Sequence, residues 1–165
     1  MQFKFRPWTL NDLDSLVEYA NNFNIAKNLT NAFPHPYTKE DGIKFIEMVS
    51  KQEPTQVFAI EVNGRASGGI GIFPQQDIMC KNAEMGYWLA EPLWGNGIIT
   101  KAIGQMLEYA FKTWDITRIY ARPYGPNIAS QRVLEKAGFT LEARFSKTIF
   151  KNGEYLDELV YAIRK

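Results

Sequence analysis

Residues 88–107 read WLAEPLWGNGIITKAIGQML. An apolar run ends in a Gly-Asn-Gly turn at 95–97, and Ile98, Ala102, Ile103, Met106, Leu107, Ala110 and Phe111 follow at the spacing of one helical face. The first amides of a helix have no partner within it, and the helix dipole favours an anion there. Glycines at 95 and 97 let a ligand approach the backbone with no Cβ in the way. The same letters also describe an ordinary strand-to-helix turn. The stretch is therefore either an anion cradle or a plain connection.

Two familiar phosphate loops do not fit. A Walker loop requires Gly-Lys-Ser/Thr, which occurs nowhere in the chain. The dinucleotide fingerprint Gly-x-Gly-x-x-Gly is met only as Gly95-x-Gly97-x-x-Thr100, which lacks its third glycine. Its acidic partner should end the next strand, whereas Asp115 precedes the strand-like ITRIYARP. A cradle made of backbone amides needs no lysine, so neutral Asn96, Ile98 and Ile99 are compatible with it.

Working outward, FKFRP alternates as a first strand, and Thr9 with Asp12 marks a helix start. Leu13, Leu16, Val17 and Ala20 continue that helix. FPHPYT interrupts the chain with two prolines, and Thr38 caps a second helix faced by Ile43, Phe45, Ile46 and Val49. QVFAIEV and the glycine-rich ASGGIGIFP are strands joined by a hairpin turn at NGR. KNAEMGYWLA is the strand before the Gly-Asn-Gly turn. After ITRIYARP comes a short helix, NIASQRVLEKAGF, capped by Asn127 and stopped by Gly138. FTLEARFSKTIF and YLDELVYAI form a closing hairpin around Lys151-Asn152-Gly153. The order β, α, α, β, β, β, α, β, α, β, β describes a mixed α/β domain with one large central sheet.

The 165 residues suit a single domain, 1–165, and a chain of this size buries roughly 70% of its unfolded surface. A net charge of +1 gives no bulk attraction to nucleic acid. No apolar run approaches the roughly 20 residues of a membrane span, and MQFKFRPWTL lacks the apolar stretch of a signal peptide. Cys80 stands alone, which excludes an internal disulfide and fits a reducing, cytoplasmic setting. No second histidine or cysteine stands at metal-ligand spacing, so no metal is expected.

AEMGYWLAEPLWGNGIITKAI, followed about 30 residues later by NIASQRVLEKAGF, resembles the GNAT acetyltransferase superfamily, and HPYTKED narrows the resemblance to its RimJ/RimL-type branch. The likeness extends over nearly the whole chain. One departure is Pro92, which stands where the family motif Gln/Arg-x-x-Gly-x-Gly/Ala begins. The resemblance implies a GNAT fold: a mostly antiparallel central sheet with a splayed parallel strand pair holding acetyl-CoA, flanked by about four helices. The splayed strands would be GYWLA and RIYARP. The backbone of Trp88, Leu89 and Ala90 would pair with the pantetheine arm, and the amides of Trp94, Gly95, Asn96, Gly97, Ile98, Ile99 and Thr100 would hold the pyrophosphate. A backbone N–H of this strand, that of Leu89, would stabilise the oxyanion. Asn127 would contact the cofactor arm, serve as a helix cap, or do both.

The chemistry implied is acetyl transfer to a primary amine by direct attack in a ternary complex. Ser130 would donate to the leaving thiolate, since Leu134 stands where many GNAT members carry a tyrosine acid; otherwise it is a surface serine. Glu84 matches a strand glutamate used as general base, and apolar surroundings would raise its pKa; otherwise it is an exposed or structurally paired strand residue. Some RimJ/RimL relatives place a base where this chain has Ile149. Phe33, His35 and Tyr37 would line the acceptor pocket; otherwise His35 acts as a base or belongs to a solvent-exposed loop. The acceptor would be a protein N-terminal α-amine, or alternatively a small-molecule amine of aminoglycoside, polyamine or amino-acid type. A domain that holds acyl-CoA without turnover is the rival of another class. The family often dimerises, which leaves a homodimer open.

Overall fold

The computed structural model describes the whole chain, Met1–Lys165. Its strands are β1 (Lys4–Pro7), β2 (Val57–Val62), β3 (Arg65–Pro74), β4 (Asn82–Leu89), β5 (Arg118–Ala121), β6 (Thr140–Lys151) and β7 (Glu154–Arg164). Its helices are α1 (Leu13–Ala20), α2 (Phe23–Ala26), α3 (Lys39–Val49), α4 (Ile98–Thr113) and α5 (Ile128–Lys136). One seven-stranded sheet runs in the order β1-β2-β3-β4-β5-β7-β6. β4 and β5 are parallel, while β1–β2, β2–β3, β5–β7 and β6–β7 are antiparallel. The expected mixed α/β architecture is present. The helix count differs by α2, a single turn too short to leave a periodic signal.

By internal packing the chain falls into two compact units. The first comprises Met1–Gly71 with Tyr87–Ala102. Its core gathers Trp8, Leu16, Tyr37, Ile46 and Val57, with α1 and α3 contributing their apolar faces. Both expected capping signals operate. Thr38 Oγ1 accepts the Asp41 amide at 3.2 Å while Asp41 accepts the Thr38 amide at 2.9 Å. Asp12 accepts the Thr9 amide at 3.0 Å and is also gripped by both Nη atoms of Arg6 at 2.8 and 2.7 Å. Burial alone would raise the Asp12 carboxyl. The Arg6 guanidinium and the Thr9 amide outweigh it and hold the group below its ordinary value.

The second unit comprises Ile72–Gly86 with Ile103–Lys165. β6 and β7 form a long hairpin closed at Asn152-Gly153. Pairing jumps from Phe145↔Glu158 to Ile149↔Leu156, so Ser146, Lys147 and Thr148 together face Asp157. Lys147 has φ +53°, and its amide donates to Asp157 Oδ1 at 2.9 Å. Arg144 Nε donates to the other oxygen of Asp157 at 2.9 Å. These bonds fill a bulge in the outermost strand of the sheet.

Candidate active site

The Gly-Asn-Gly turn has the geometry its sequence implies. Gly95 and Gly97 adopt φ +78° and +72°, in the left-handed region, and a Cβ built on either would meet nothing within 4 Å. The first intrahelical bond of α4 runs from the Lys101 amide to Gly97 O at 3.3 Å, so the amides of Ile98, Ile99 and Thr100 have no helical partner. No acidic residue occupies the first turn of this 16-residue helix. Asn96 turns its side chain back onto the carbonyls of Leu93 and Trp94 at 3.0 and 3.2 Å, leaving the mouth of the turn to the backbone. The result is an open rim of amides at the positive end of a long dipole, suited to a phosphate or pyrophosphate.

The end of β4 leads into this rim. The Ala90 amide donates to Ser67 O at 2.7 Å, which turns the N–H and C=O of Leu89 away from β3. The indole Nε1 of Trp94 already donates to Leu89 O at 2.8 Å. The expectation that Trp88, Leu89 and Ala90 all offer backbone to a ligand therefore narrows. Ala90 N–H and Leu89 C=O are engaged inside the protein, while Leu89 N–H points the same way as its own carbonyl, away from β3. The segment after β4 is fastened from the other side. Glu91 accepts from Asn22 Nδ2 at 2.7 Å and from Asn24 Nδ2 at 3.2 Å, and these bonds hold its carboxyl below the ordinary value.

The aromatic loop shows one departure from expectation. His35 is exposed and rests on Phe23, ring centroids 5.8 Å apart. Phe33 is half-buried, 5.7 Å from Trp88 and 5.2 Å from Tyr37. Tyr37 is a core residue, only 5% exposed, rather than a pocket-lining one. Burial pushes its phenol up to about 12. Its ring backs Phe33, which faces Trp88, and Trp88 in turn stacks on Trp8 at 6.5 Å. Tyr37 is drawn inward because it immediately precedes the cap of α3, whose apolar face joins the core.

In the second unit, the parallel ladder covers Asn82↔Arg118, Ala83↔Ile119 and Glu84↔Tyr120. Glu84 is thus the last residue of β4 in register with β5. Its surroundings correct the sequence-based expectation of an apolar setting. Arg122 Nε donates to Oε1 at 2.8 Å and an Arg122 Nη to Oε2 at 3.1 Å, a bidentate fork. The other Nη of Arg122 lies 3.7 Å from Glu158 Oε1 on β7. Tyr120 and Tyr124 stand beside this cluster. Burial pushes both phenols up, reinforced at Tyr120 by Glu84 and at Tyr124 by Glu158 and Glu84. Arg122 and Glu158 were not singled out in the sequence, where neither belongs to a motif.

The loop from β5 to α5 is pinned to β7 by the Leu159 amide on Pro123 O at 3.0 Å and the Gly125 amide on Asp157 O at 2.9 Å. Asn127 caps α5, its Oδ1 accepting the Ser130 amide at 3.2 Å. The capping role is therefore present. Ser130 is half-buried on the first turn of α5. Cys80 is exposed in the turn before β4. No cluster of three or more His, Cys, Asp or Glu side chains is arranged to hold a metal ion, and no helix is long and apolar enough to cross a membrane.

Comparison with known proteins bears on the family and the fold. Residues 2–140 match the acetyltransferase (GNAT) domain family. An uncharacterised N-acetyltransferase of Bacillus subtilis, YnaD, is 29% identical over 98% of this chain and 90% of its own length. The ribosomal-protein-serine acetyltransferase of Escherichia coli is 31% identical over 57% of this chain and 52% of its own length. The solved structure of RimL, a ribosomal L7/L12 alpha-N-protein acetyltransferase in complex with coenzyme A, superposes with a TM-score of 0.85 at 22% identity, covering 99% of this chain and 94% of the other. A family match across both compact units, a full-length N-acetyltransferase relative and a shared fold lead to one conclusion: the chain belongs to the GNAT acetyltransferase family and is an N-acetyltransferase.

Proposed function

We propose that this enzyme works as a single catalytic domain in the cytoplasm and moves the acetyl group of acetyl-CoA onto a protein N-terminal α-amine by direct attack in a ternary complex. The observation that carries the cosubstrate is the amide rim of Gly95, Asn96, Gly97, Ile98, Ile99 and Thr100, in which Gly95 and Gly97 stand at positive φ with nothing within 4 Å of where a Cβ would be. These residues fit a pyrophosphate through backbone alone. Leu89 N–H donates to the oxygen of the thioester carbonyl as it gains charge. Trp94 orients that strand end through its bond to Leu89 O. Asn127 places the first turn of α5, and the Ser130 hydroxyl serves the departing thiolate. Glu84 accepts the proton lost by the amine, directly or through a water.

The choice of an α-amine follows from acid–base chemistry. A lysine-type amine near pKa 10.4 is about 0.1% free base at neutral pH, so deprotonation costs roughly 4 kcal/mol; for an α-amine near 8 the cost is about 1 kcal/mol. The chain has Ile149 where some relatives place a base. A single glutamate already paired with arginine suits the easier acceptor. The E. coli relative is named for a ribosomal protein, which favours a protein acceptor over a small molecule.

Thermal unfolding with acetyl-CoA, CoA, ATP and NADH tests the cosubstrate. Ligand at 100 times its Kd adds about 2.7 kcal/mol, or roughly 5–11 °C for a chain of this size. The two CoA species should give the shift and ATP and NADH should not. Thiol release with a peptide bearing a free α-amine, against the same peptide blocked at its N-terminus but carrying lysine, then tests the acceptor. Equal turnover of both at neutral pH would end the α-amine reading.

A further inference from the structure

We infer that Arg122 is a positioning residue for the proton-accepting carboxylate of Glu84, an inference that rests on the proposed role of Glu84. Glu84 sits at the last register position of the parallel ladder, opposite Tyr120. A carboxylate with no fixed partner rotates and presents its lone pairs in many directions. Arg122, just past the end of β5, gives Glu84 such a partner. Its Nε and one Nη hold Oε1 and Oε2 at 2.8 and 3.1 Å, a planar fork that fixes the plane of the carboxylate. Each oxygen keeps a lone pair outside the fork, so the group still accepts a proton along a defined direction.

The second carboxylate explains why the arginine stays in place. Glu158 on β7 lies 3.7 Å from the Nη that Glu84 leaves unused. Arg122 is therefore drawn from both sides, and it cannot swing out to solvent without leaving two acids behind. The remaining titratable neighbours are Tyr120, the register partner itself, and Tyr124 in the following loop. The Arg122 and Glu84 side chains remain 45% and 26% exposed. Exposed ion pairs add little to folding stability. A purely structural role therefore predicts that removing the fork changes almost nothing.

A double-mutant cycle on the full chain tests this, with thiol release from acetyl-CoA and a free α-amine peptide as the assay. Glu84→Gln should lower kcat about 100-fold, the lower end of what a general base contributes. Arg122→Gln should lower kcat roughly 10-fold with the CoA-induced thermal shift retained, and Arg122→Lys, which keeps charge but not the fork, should fall between. The Glu84→Gln/Arg122→Gln double variant should be no slower than Glu84→Gln alone, because Arg122 acts only through Glu84. Independently of turnover, the Nε–H resonance of Arg122 should be protected from exchange in the wild type and lose that protection in Glu84→Gln. Multiplicative losses in the double variant, full kcat in Arg122→Gln, or an unprotected Nε–H in the wild type would overturn the inference alone. Full kcat in Glu84→Gln would instead overturn the role of Glu84 as base, and the positioning role with it.

Discussion

Gly68 lies against the backbone of Trp88 so closely that a Cβ on it would stand 2.5 Å from the Trp88 carbonyl oxygen and 3.1 Å from Leu89 Cα. Neither contact is with a flexible side chain. The glycine-rich run of β3 is thus a groove into which the end of β4 settles. Gly68→Ala must push that strand end outward, together with Leu89 N–H. The expected outcome is a loss of about 1–3 kcal/mol in stability, in the range of an overpacked core. Affinity for CoA should fall by more than that destabilisation explains, as read by CoA titration at a temperature where the variant is fully folded.

Gly97→Ala tests the rim by a different route. No atom stands within 4 Å of the new Cβ, so no clash follows. The cost is the left-handed backbone at φ +72°, about 1–2 kcal/mol. If the amides hold a pyrophosphate, the methyl also stands in the ligand's approach. CoA affinity measured by calorimetry should fall at least 10-fold. Asn96→Ala, whose side chain faces the Leu93 and Trp94 carbonyls, should leave affinity within about 3-fold.

Trp94→Phe keeps a ring and removes only the N–H that binds Leu89 O at 2.8 Å. A half-exposed hydrogen bond of this kind contributes about 1 kcal/mol. Unfolding temperature should drop by roughly 2–4 °C. The freed carbonyl loosens the strand end, so kcat should decline more than CoA affinity does. Unchanged kcat would mean that this indole serves only the fold.

Acid should weaken the first unit through Asp12. Its carboxyl is depressed in the folded protein, with Arg6 and the Thr9 amide outweighing the effect of burial. A depressed group stabilises the fold fully above its unfolded pKa, near 3.9, and that contribution is lost as pH falls through the folded value. The Arg6–Asp12 contribution should therefore be complete at pH 6 and fade below about pH 4. Asp12→Asn should lower the unfolding temperature at pH 6 by roughly 4–8 °C, as the loss of about 2 kcal/mol of charged hydrogen bonding implies. The gap between variant and wild type should close towards pH 2.5. A gap independent of pH would assign the effect to capping geometry alone.

The parts of the molecule that were legible in the sequence are those governed by near neighbours. Thr38 with Asp41, Asn63-Gly64, Asn152-Gly153 and the Gly95–Gly97 turn each carry their geometry within four residues. The parts that were not legible depend on partners far along the chain. Glu84 meets Arg122 38 positions away, and only the parallel register brings them together. Asn22 meets Glu91 across 69 positions. Tyr37 sits between prolines and a polar cap, a context that reads as surface loop, yet its ring is taken into the core by the helix it precedes. α2 spans four residues, barely more than one helical turn, too few for a 3.6-residue repeat to show.

The bulge opposite Asp157 bears on how this protein behaves in a crowd of its own kind. β6 is the last strand of the sheet and is exposed along most of its 12 residues, with Leu141, Phe145 and Phe150 in solvent. Such a rim invites a foreign strand to zip alongside. Ser146, Lys147 and Thr148 break the repeat midway, and Lys147 spends its amide on Asp157 rather than offering it outward. A strand laid along Leu141 to Phe145 would find itself out of step by Ile149, with Arg144 and Lys147 adding charge at the break. The irregularity that tethers the hairpin thus also denies a continuous template to intermolecular β-stacking, and straightening it would trade one aspartate's bonds for a propensity to aggregate.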